Sequence, residues 1–308
     1  MMYVLLIVGF ILLIKGADFF VDGASSTAKL LKVPSVIIGL TIVAMGTSAP
    51  EAAVSISAGL SGSSDIALSN VIGSNIFNLL IVVGVSAIIC PMKTEKVILR
   101  RDIWWSLGAA VATLIMMTDM KISGAEGILL LGGMAAYIAV LVFDARKKRD
   151  EGDEVKAMSP LKSIIYIVGG LAAIIIGGDL VVDSACDIAA AFGMSEALIG
   201  LTIVALGTSL PELATSLIAA AKKNCDIALG NVVGSNIFNV FMILGCSAAI
   251  KPLPSYPGFV LDSIMAALGC VLVWVFVMTN KKHQIRWWHG AIMLIVYGGY
   301  LGWRLVTA

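Results

Sequence analysis

The chain has 308 residues, 59% of them hydrophobic and 13% charged, a formal net charge of +1 and a mean hydropathy of +0.99. Soluble domains sit nearer half apolar and a quarter charged, so this balance excludes a soluble globular protein and points to an all-α polytopic membrane protein. The near-neutral charge offers nothing to a nucleic-acid partner.

A spanning helix needs roughly 20 mostly apolar residues, and ten segments qualify. In chain order they run over Met1–Leu30, Pro34–Leu60, Asp65–Ile89, Val97–Thr118, Gly124–Phe143, Pro160–Ala191, Ser195–Ala221, Asp226–Ile250, Gly258–Thr279 and Trp287–Val306. The first lacks the basic stretch and cleavage site of a signal peptide and reads as a membrane helix. Turn residues or charge separate the segments, as at Lys32 with Pro34, Ser61 to Asp65, Pro91 to Lys96 and Pro252 to Pro257. The run RKKRDEGDEVK reads as a solvated connector. Cys90, Cys186, Cys225, Cys246 and Cys270 show no CxxC spacing, and with His283 and His289 they build no metal site. No nucleophile–base or metal-hydrolase pattern marks an enzyme, and no cofactor is expected.

The chain contains itself twice. GLTIVAMGTSAPE at Gly39–Glu51 returns as GLTIVALGTSLPE at Gly200–Glu212, and DIALSNVIGSNIFN at Asp65–Asn78 returns as DIALGNVVGSNIFN at Asp226–Asn239, both at an offset of 161 (200 − 39 and 226 − 65). GADFFVDGASS lies over GGDLVVDSACD at the same offset, matching Asp18 with Asp179 and Asp22 with Asp183. The repeat is therefore a whole half: residues 1–147 as a first five-helix repeat, 148–159 as a linker, and 160–308 as a second. A unit that crosses five times and then recurs must enter from the opposite side, so the ten transmembrane helices form two inverted five-helix repeats. Of the 21 lysines and arginines, 17 fall at the connections after odd-numbered segments and three (Lys121, Lys251, Arg304) at the other side. Positive charge stays inside, which puts both termini outside the cell membrane and the linker in the cytoplasm. Lys15 is left within the first segment near Asp18, where pairing and snorkelling are both open.

An ionisable group inside a spanning helix marks a functional site by default. Glu51 and Glu212 fall mid-segment at matching positions, which inverted symmetry places together near the midplane. Gly46 with Pro50, and Gly207 with Pro211, weaken the helical ladder before each and free backbone carbonyls of Ala44, Thr47, Ala205 and Thr208. The hydroxyls of Thr47, Ser48, Thr208 and Ser209 add oxygens. Ser74 and Asn78 are four apart and share a helix face, as do Ser235 and Asn239. This all-oxygen set suits hard cations, one Ca2+ or several Na+. Asn75 and Asn236, one residue off that face, read as structural, and Asp65 and Asp226 as N-caps. Asp18, Asp22, Asp179 and Asp183 read as cytoplasm-facing or structural polar contacts, while Asn70 and Asn231 stay open.

At GTSAPE and GTSLPE, each followed by GSNIFN, the sequence resembles the cation/calcium antiporter superfamily, and within it the prokaryotic sodium/calcium exchangers. The resemblance covers essentially the whole chain. It implies antiport of several Na+ for each Ca2+ by alternating access, with the first and sixth helices as long, tilted gating elements. It also implies that Glu51 and Glu212 are carboxylates shared by both ions and that Thr47 and Thr208 give carbonyls to Ca2+. Ser48, Ser209, Ser74, Ser235, Ala44 and Ala205 would line outer Na+ positions, with Asn78 and Asn239 at the centre. Asn239 stands where some archaeal exchangers and the potassium-dependent branch carry Asp, and is similar to the potassium-independent animal exchangers, so no K+ co-transport is expected, nor regulation by the large cytoplasmic Ca2+-sensing domains of animal exchangers. The partners expected are the two ions and the lipid bilayer, with no obligatory protein partner. The nearest alternative is an H+/Ca2+ antiporter of the same superfamily, which typically writes GNAAE where this chain has GTSxPE; a cation channel is a more distant one.

Overall fold

A computed structural model describes residues 2–93, 98–147, 157–193, 205–279 and 283–307. Expectations that fall on the remaining residues lie outside the described ones: the GLTIV copy at 200–204, most of the linker, and Lys96, Lys148, Arg149, Lys156, Lys281 and Lys282.

The regular structure of the described residues is helical, apart from four two-residue strands. α1 (Met2–Leu31) leads to α2 (Ser35–Ile38), a π-turn over Gly39–Val43, α3 (Ala44–Thr47) and α4 (Ala49–Ser61). α5 (Ser64–Phe77) passes through a π-turn at Asn78–Val82 into α6 (Val83–Ile89). α7 (Ile103–Met116) and α8 (Gly124–Lys147) close the first half. The second half holds α9 (Pro160–Ala191), α10 (Ala205–Gly207), α11 (Leu210–Ala221) and α12 (Cys225–Phe238). A π-turn at Asn239–Leu244 then leads to α13 (Gly245–Ile250), α14 (Phe259–Met278) and α15 (Trp287–Thr307). Among the described residues six helical spans are long and apolar enough to cross a membrane, or seven if the bent pair Ser35–Thr47 and Ala49–Ser61 is one span. Wide turns of this kind concentrate at functional sites, and two of them open on the repeat-equivalent Asn78 and Asn239.

The helices carrying the second motif form the centre. The window in Cys225–Ile250 is 94% buried and that in Ser64–Ile89 72%, against 33% for α1 and 28% for α9. Outward faces such as Val4, Ile7, Ile11 and Ile14 on α1, or Ile164, Ile165 and Val168 on α9, stay exposed, an apolar surface of the sort that meets lipid.

α1 and α9 pack on glycines. A Cβ at Gly9 would meet the Gly177 carbonyl oxygen at 3.0 Å, one at Gly16 the Gly170 oxygen at 2.8 Å, and one at Gly23 the Ser163 oxygen at 3.0 Å. Numbers rise on one helix as they fall on the other, so these repeat-equivalent helices run antiparallel. Small residues are what allow backbones so close without hydrophobic drive from water.

Two short ribbons tie the connections. β1 (Met92–Lys93) pairs antiparallel with β4 (Gln284–Ile285), and β2 (Lys121–Ile122) with β3 (Leu253–Pro254). One expectation is corrected and one open alternative is decided. The N-cap positions of α5 and α12 are Ser63 and Asn224, and Asp65 and Asp226 sit inside the first turn, where a negative charge meets the helix dipole. Asp18 does not pair with Lys15; its carboxylate meets Lys222 Nζ at 2.7 Å.

Candidate functional site

Both glutamates follow the same local break. α3 ends at Thr47, Ser48 takes φ −81° and ψ 9°, and α4 carries Pro50 in its first turn. Ser209 takes φ −89° and ψ 5° ahead of α11, with Pro211 in the first turn. Proline has no N–H to return to the carbonyl four residues back, and the bent pair turns by 50°. Glu51 and Glu212 thereby become third residues of new helices, where unpaired N–H groups favour negative charge. Both are 0% exposed.

The two halves complete each other's site. Ser48 Oγ donates to Glu212 Oε1 at 2.8 Å, and Ser209 Oγ to Glu51 Oε1 at 3.1 Å. Ser74 Oγ reaches Glu51 Oε1 at 3.5 Å and Ser235 Oγ reaches Glu212 Oε1 at 3.4 Å. Ser235 Oγ also lies 3.4 Å from the Ala44 carbonyl, the oxygen nominated from sequence. Ala205 opens α10, and its side chain lies outside the described residues.

Behind these oxygens stand two braces. Asn70 Nδ2 donates to the Glu51 carbonyl at 3.3 Å and to Ser55 Oγ at 2.9 Å, while its Oδ1 accepts the Thr208 hydroxyl at 3.3 Å. Asn231 Nδ2 donates to the Glu212 carbonyl at 3.4 Å and to Ser216 Oγ at 3.0 Å, and its Oδ1 accepts the Thr47 hydroxyl at 3.0 Å. Sequence alone leaves Asn70 and Asn231 open and does not single out Ser55 and Ser216. The signal was there: 70, 74 and 78 share one helix face, Ser55 lies four after Glu51, and all recur at the 161 offset.

Eight buried side-chain oxygens have no hydrogen-bond partner among the described residues: the hydroxyls of Ser86, Thr215, Ser247 and Ser263, and four that belong to the site, Glu51 Oε2, Glu212 Oε2, Asn78 Oδ1 and Asn239 Oδ1. Burying such atoms unpaired is costly, and all four are hard donors of the kind that hold Ca2+ or Na+. No cluster of three or more His, Cys, Asp or Glu side chains among the described residues is placed to hold a metal; this donor set mixes two carboxylates with amides and hydroxyls.

A cavity of about 570 Å³ lies beside the site, between α4, α9 and the Gly207–Pro211 turn, with Asp179, Asp183 and Thr208 on its wall. At the repeat-equivalent position on α1, polar side chains of the second half bridge to those of the first. Lys222 Nζ meets Asp18 Oδ1 at 2.7 Å and Asp22 Oδ1 at 2.6 Å, and Asn224 Nδ2 donates to Ser25 Oγ at 2.8 Å.

The chain is similar along its length to proteins named as antiporters or sodium/calcium exchangers. It is 38% identical to the putative antiporter CaxA of Alkalimonas amylolytica over 307 residues, covering 96% of each chain. It is 34% identical to the sodium/calcium exchanger MaX1 of Methanosarcina acetivorans, covering 97% of each. Its fold matches a structure of the sodium-calcium exchanger NCX_Mj with a TM-score of 0.84, at 32% identity over 96% of both chains. The family model described as sodium/calcium exchanger protein matches residues 1–143 and 162–306, and with the paired GTS-x-PE and GSNIFN motifs around one buried site, the chain belongs to that family of multi-pass membrane exchangers, which are transporters and not enzymes.

Proposed function

We propose that this protein is a secondary active antiporter that exchanges Na+ for Ca2+ by alternating access, without K+. The observation that carries the reading is the set of four unpartnered oxygens, two carboxylate and two amide, contributed equally by both halves. A cation bound there joins all four, and a divalent ion balances both carboxylates at once. Glu51 and Glu212 are the shared ligands, with Asn78 and Asn239 between them. Thr47 and Thr208 supply carbonyls, and Ser48, Ser209, Ser74, Ser235, Ala44 and Ala205 line the flanking Na+ positions. Ca2+ and Na+ compete for the same carboxylates, and that competition couples their movements.

The chain is read as ten transmembrane helices in two inverted repeats, 1–147 and 160–308, joined by a linker at 148–159. The antiparallel crossing of α1 and α9 supports the inversion, and the family match breaks between 143 and 162. Both termini are assigned to the outside and the linker to the cytoplasm. The charge distribution supports this, and each ribbon joins connections assigned to one side, Met92–Lys93 with Gln284–Ile285 and Lys121–Ile122 with Leu253–Pro254. The cavity beside Asp179 and Asp183 then opens outward. An unloaded site leaves uncompensated charge in a dry setting and resists the transition, so exchange is favoured over leak.

The test is radiolabelled Ca2+ uptake by purified protein in liposomes under separately imposed Na+, K+ and pH gradients. Uptake driven by internal Na+ and indifferent to K+ is expected. Uptake driven by pH alone would establish the H+/Ca2+ antiporter, which would use the same two carboxylates. Strict K+ dependence would overturn the K+ assignment, and Ca2+ flux without a counter-ion would identify a channel.

A further inference from the structure

Asn75 and Asn236 lie one residue past the site serines and are 3% and 1% exposed. Each donates its side-chain Nδ2 to the other's backbone carbonyl, both at 3.2 Å. Their Oδ1 atoms accept in turn: Asn236 Oδ1 from Asn78 Nδ2 at 3.2 Å, and Asn75 Oδ1 from Asn239 Nδ2 at 3.0 Å. A side-chain amide has one donor end and one acceptor end. With their NH2 groups committed to backbone carbonyls, Asn75 and Asn236 show only oxygen to Asn239 and Asn78. The latter must therefore turn NH2 toward them and Oδ1 away, and those Oδ1 atoms are two of the four unpartnered oxygens of the site.

We propose that Asn75 and Asn236 are positioning residues that fix the amides of Asn239 and Asn78 oxygen-inward, so that the site presents acceptors to a cation. This rests on the ligand roles assigned above to Asn78 and Asn239. With either amide reversed, N–H groups would face the carboxylates, partly satisfying them and repelling a cation. The orienting contact always crosses between halves, 75 with 239 and 236 with 78, so the two repeats set each other's ion selectivity.

The arrangement is tested by calorimetric Ca2+ binding to the purified full-length protein, alongside Na+-driven Ca2+ uptake by the wild type. Asn75→Ala frees the Asn239 amide to turn and should weaken Ca2+ binding about tenfold, the size of one lost charge-assisted contact. Asp at 239 has oxygen at both ends of its carboxyl and needs no orienting. In the Asn239→Asp background the same Asn75→Ala change should therefore cost less than about twofold, whereas in the Asn78→Asp background it should cost the full amount. A merely structural Asn75 would show equal losses in all three backgrounds, and that result, or no loss in the wild-type background, overturns the proposal. Where Asn75→Ala does not fold, the mirrored set, Asn236→Ala with Asn78→Asp, carries the same test. Wild-type protein that binds Ca2+ but shows no Na+-driven uptake overturns the antiport reading and leaves this one to its own binding data; wild-type protein that binds no Ca2+ overturns both.

Discussion

Ser48 donates its hydroxyl to the carboxylate of Glu212 at 2.8 Å across 164 residues of sequence. The mirrored bond from Ser209 to Glu51, at 3.1 Å, makes the arrangement reciprocal, so each half holds the other's acid in place. Glu51→Gln or Glu212→Gln keeps the shape and removes one charge. Either substitution should reduce Ca2+ uptake to background while the protein elutes as a single species with unchanged helical content. Full flux from either variant would refute the carboxylate assignment.

The two serines should weigh alike. A hydrogen bond to a charged group contributes about 1.5–3 kcal/mol, so Ser48→Ala and Ser209→Ala should each raise the half-saturating Na+ concentration about tenfold or more. Na+-dependent Ca2+ efflux from liposomes measures this. A large effect at one serine and none at the other would contradict the symmetry.

Lys222 distinguishes the two sides. Burial by itself lowers a lysine, but the bonds to Asp18 and Asp22 outweigh it and raise this ammonium above its ordinary 10.5. Its folded value being raised, the stabilisation is complete below the unfolded value and is lost only as pH rises through the folded one, so the contact should not change between roughly pH 6 and pH 9. Ser61 takes the equivalent place in the first half, so Asp179 and Asp183 have no matching lysine there. The ion pair is partly exposed and contributes about 1 kcal/mol. Val21 is buried and is the repeat equivalent of Val182 on the cavity wall, so in a cysteine-free background Lys222→Ser should speed maleimide labelling of Val21→Cys about fivefold. An unchanged labelling rate would remove Lys222 from gating.

The crossing of α1 and α9 tolerates no side chain at its centre. A Cβ at Gly170 would lie 2.7 Å from the Phe20 nitrogen and 2.8 Å from the Gly16 oxygen. Overpacking of this kind costs about 1–3 kcal/mol, so Gly170→Leu should lower the thermal unfolding midpoint by several degrees. Gly169→Leu, where a Cβ meets nothing within 4 Å, is the control and should leave the midpoint unchanged.

Much of this protein is legible from residues alone. Composition settles the solvent, since so apolar a chain has no stable place in water. The 161-residue offset reveals the duplicated sequence, and costly polar atoms inside apolar segments single out Glu51, Glu212, Ser74, Asn78 and their copies as candidates. These are local properties, carried by each residue type and its spacing. The partners are a different matter. That Ser48 donates to Glu212, that Thr208 donates to Asn70, that Asn239 donates to Asn75 and that Lys222 bridges Asp18 and Asp22 are contacts between residues far apart in the chain. A hydrogen bond depends on where the folded backbone brings two groups, and no period or motif in one helix specifies the neighbour its side chains will meet in another.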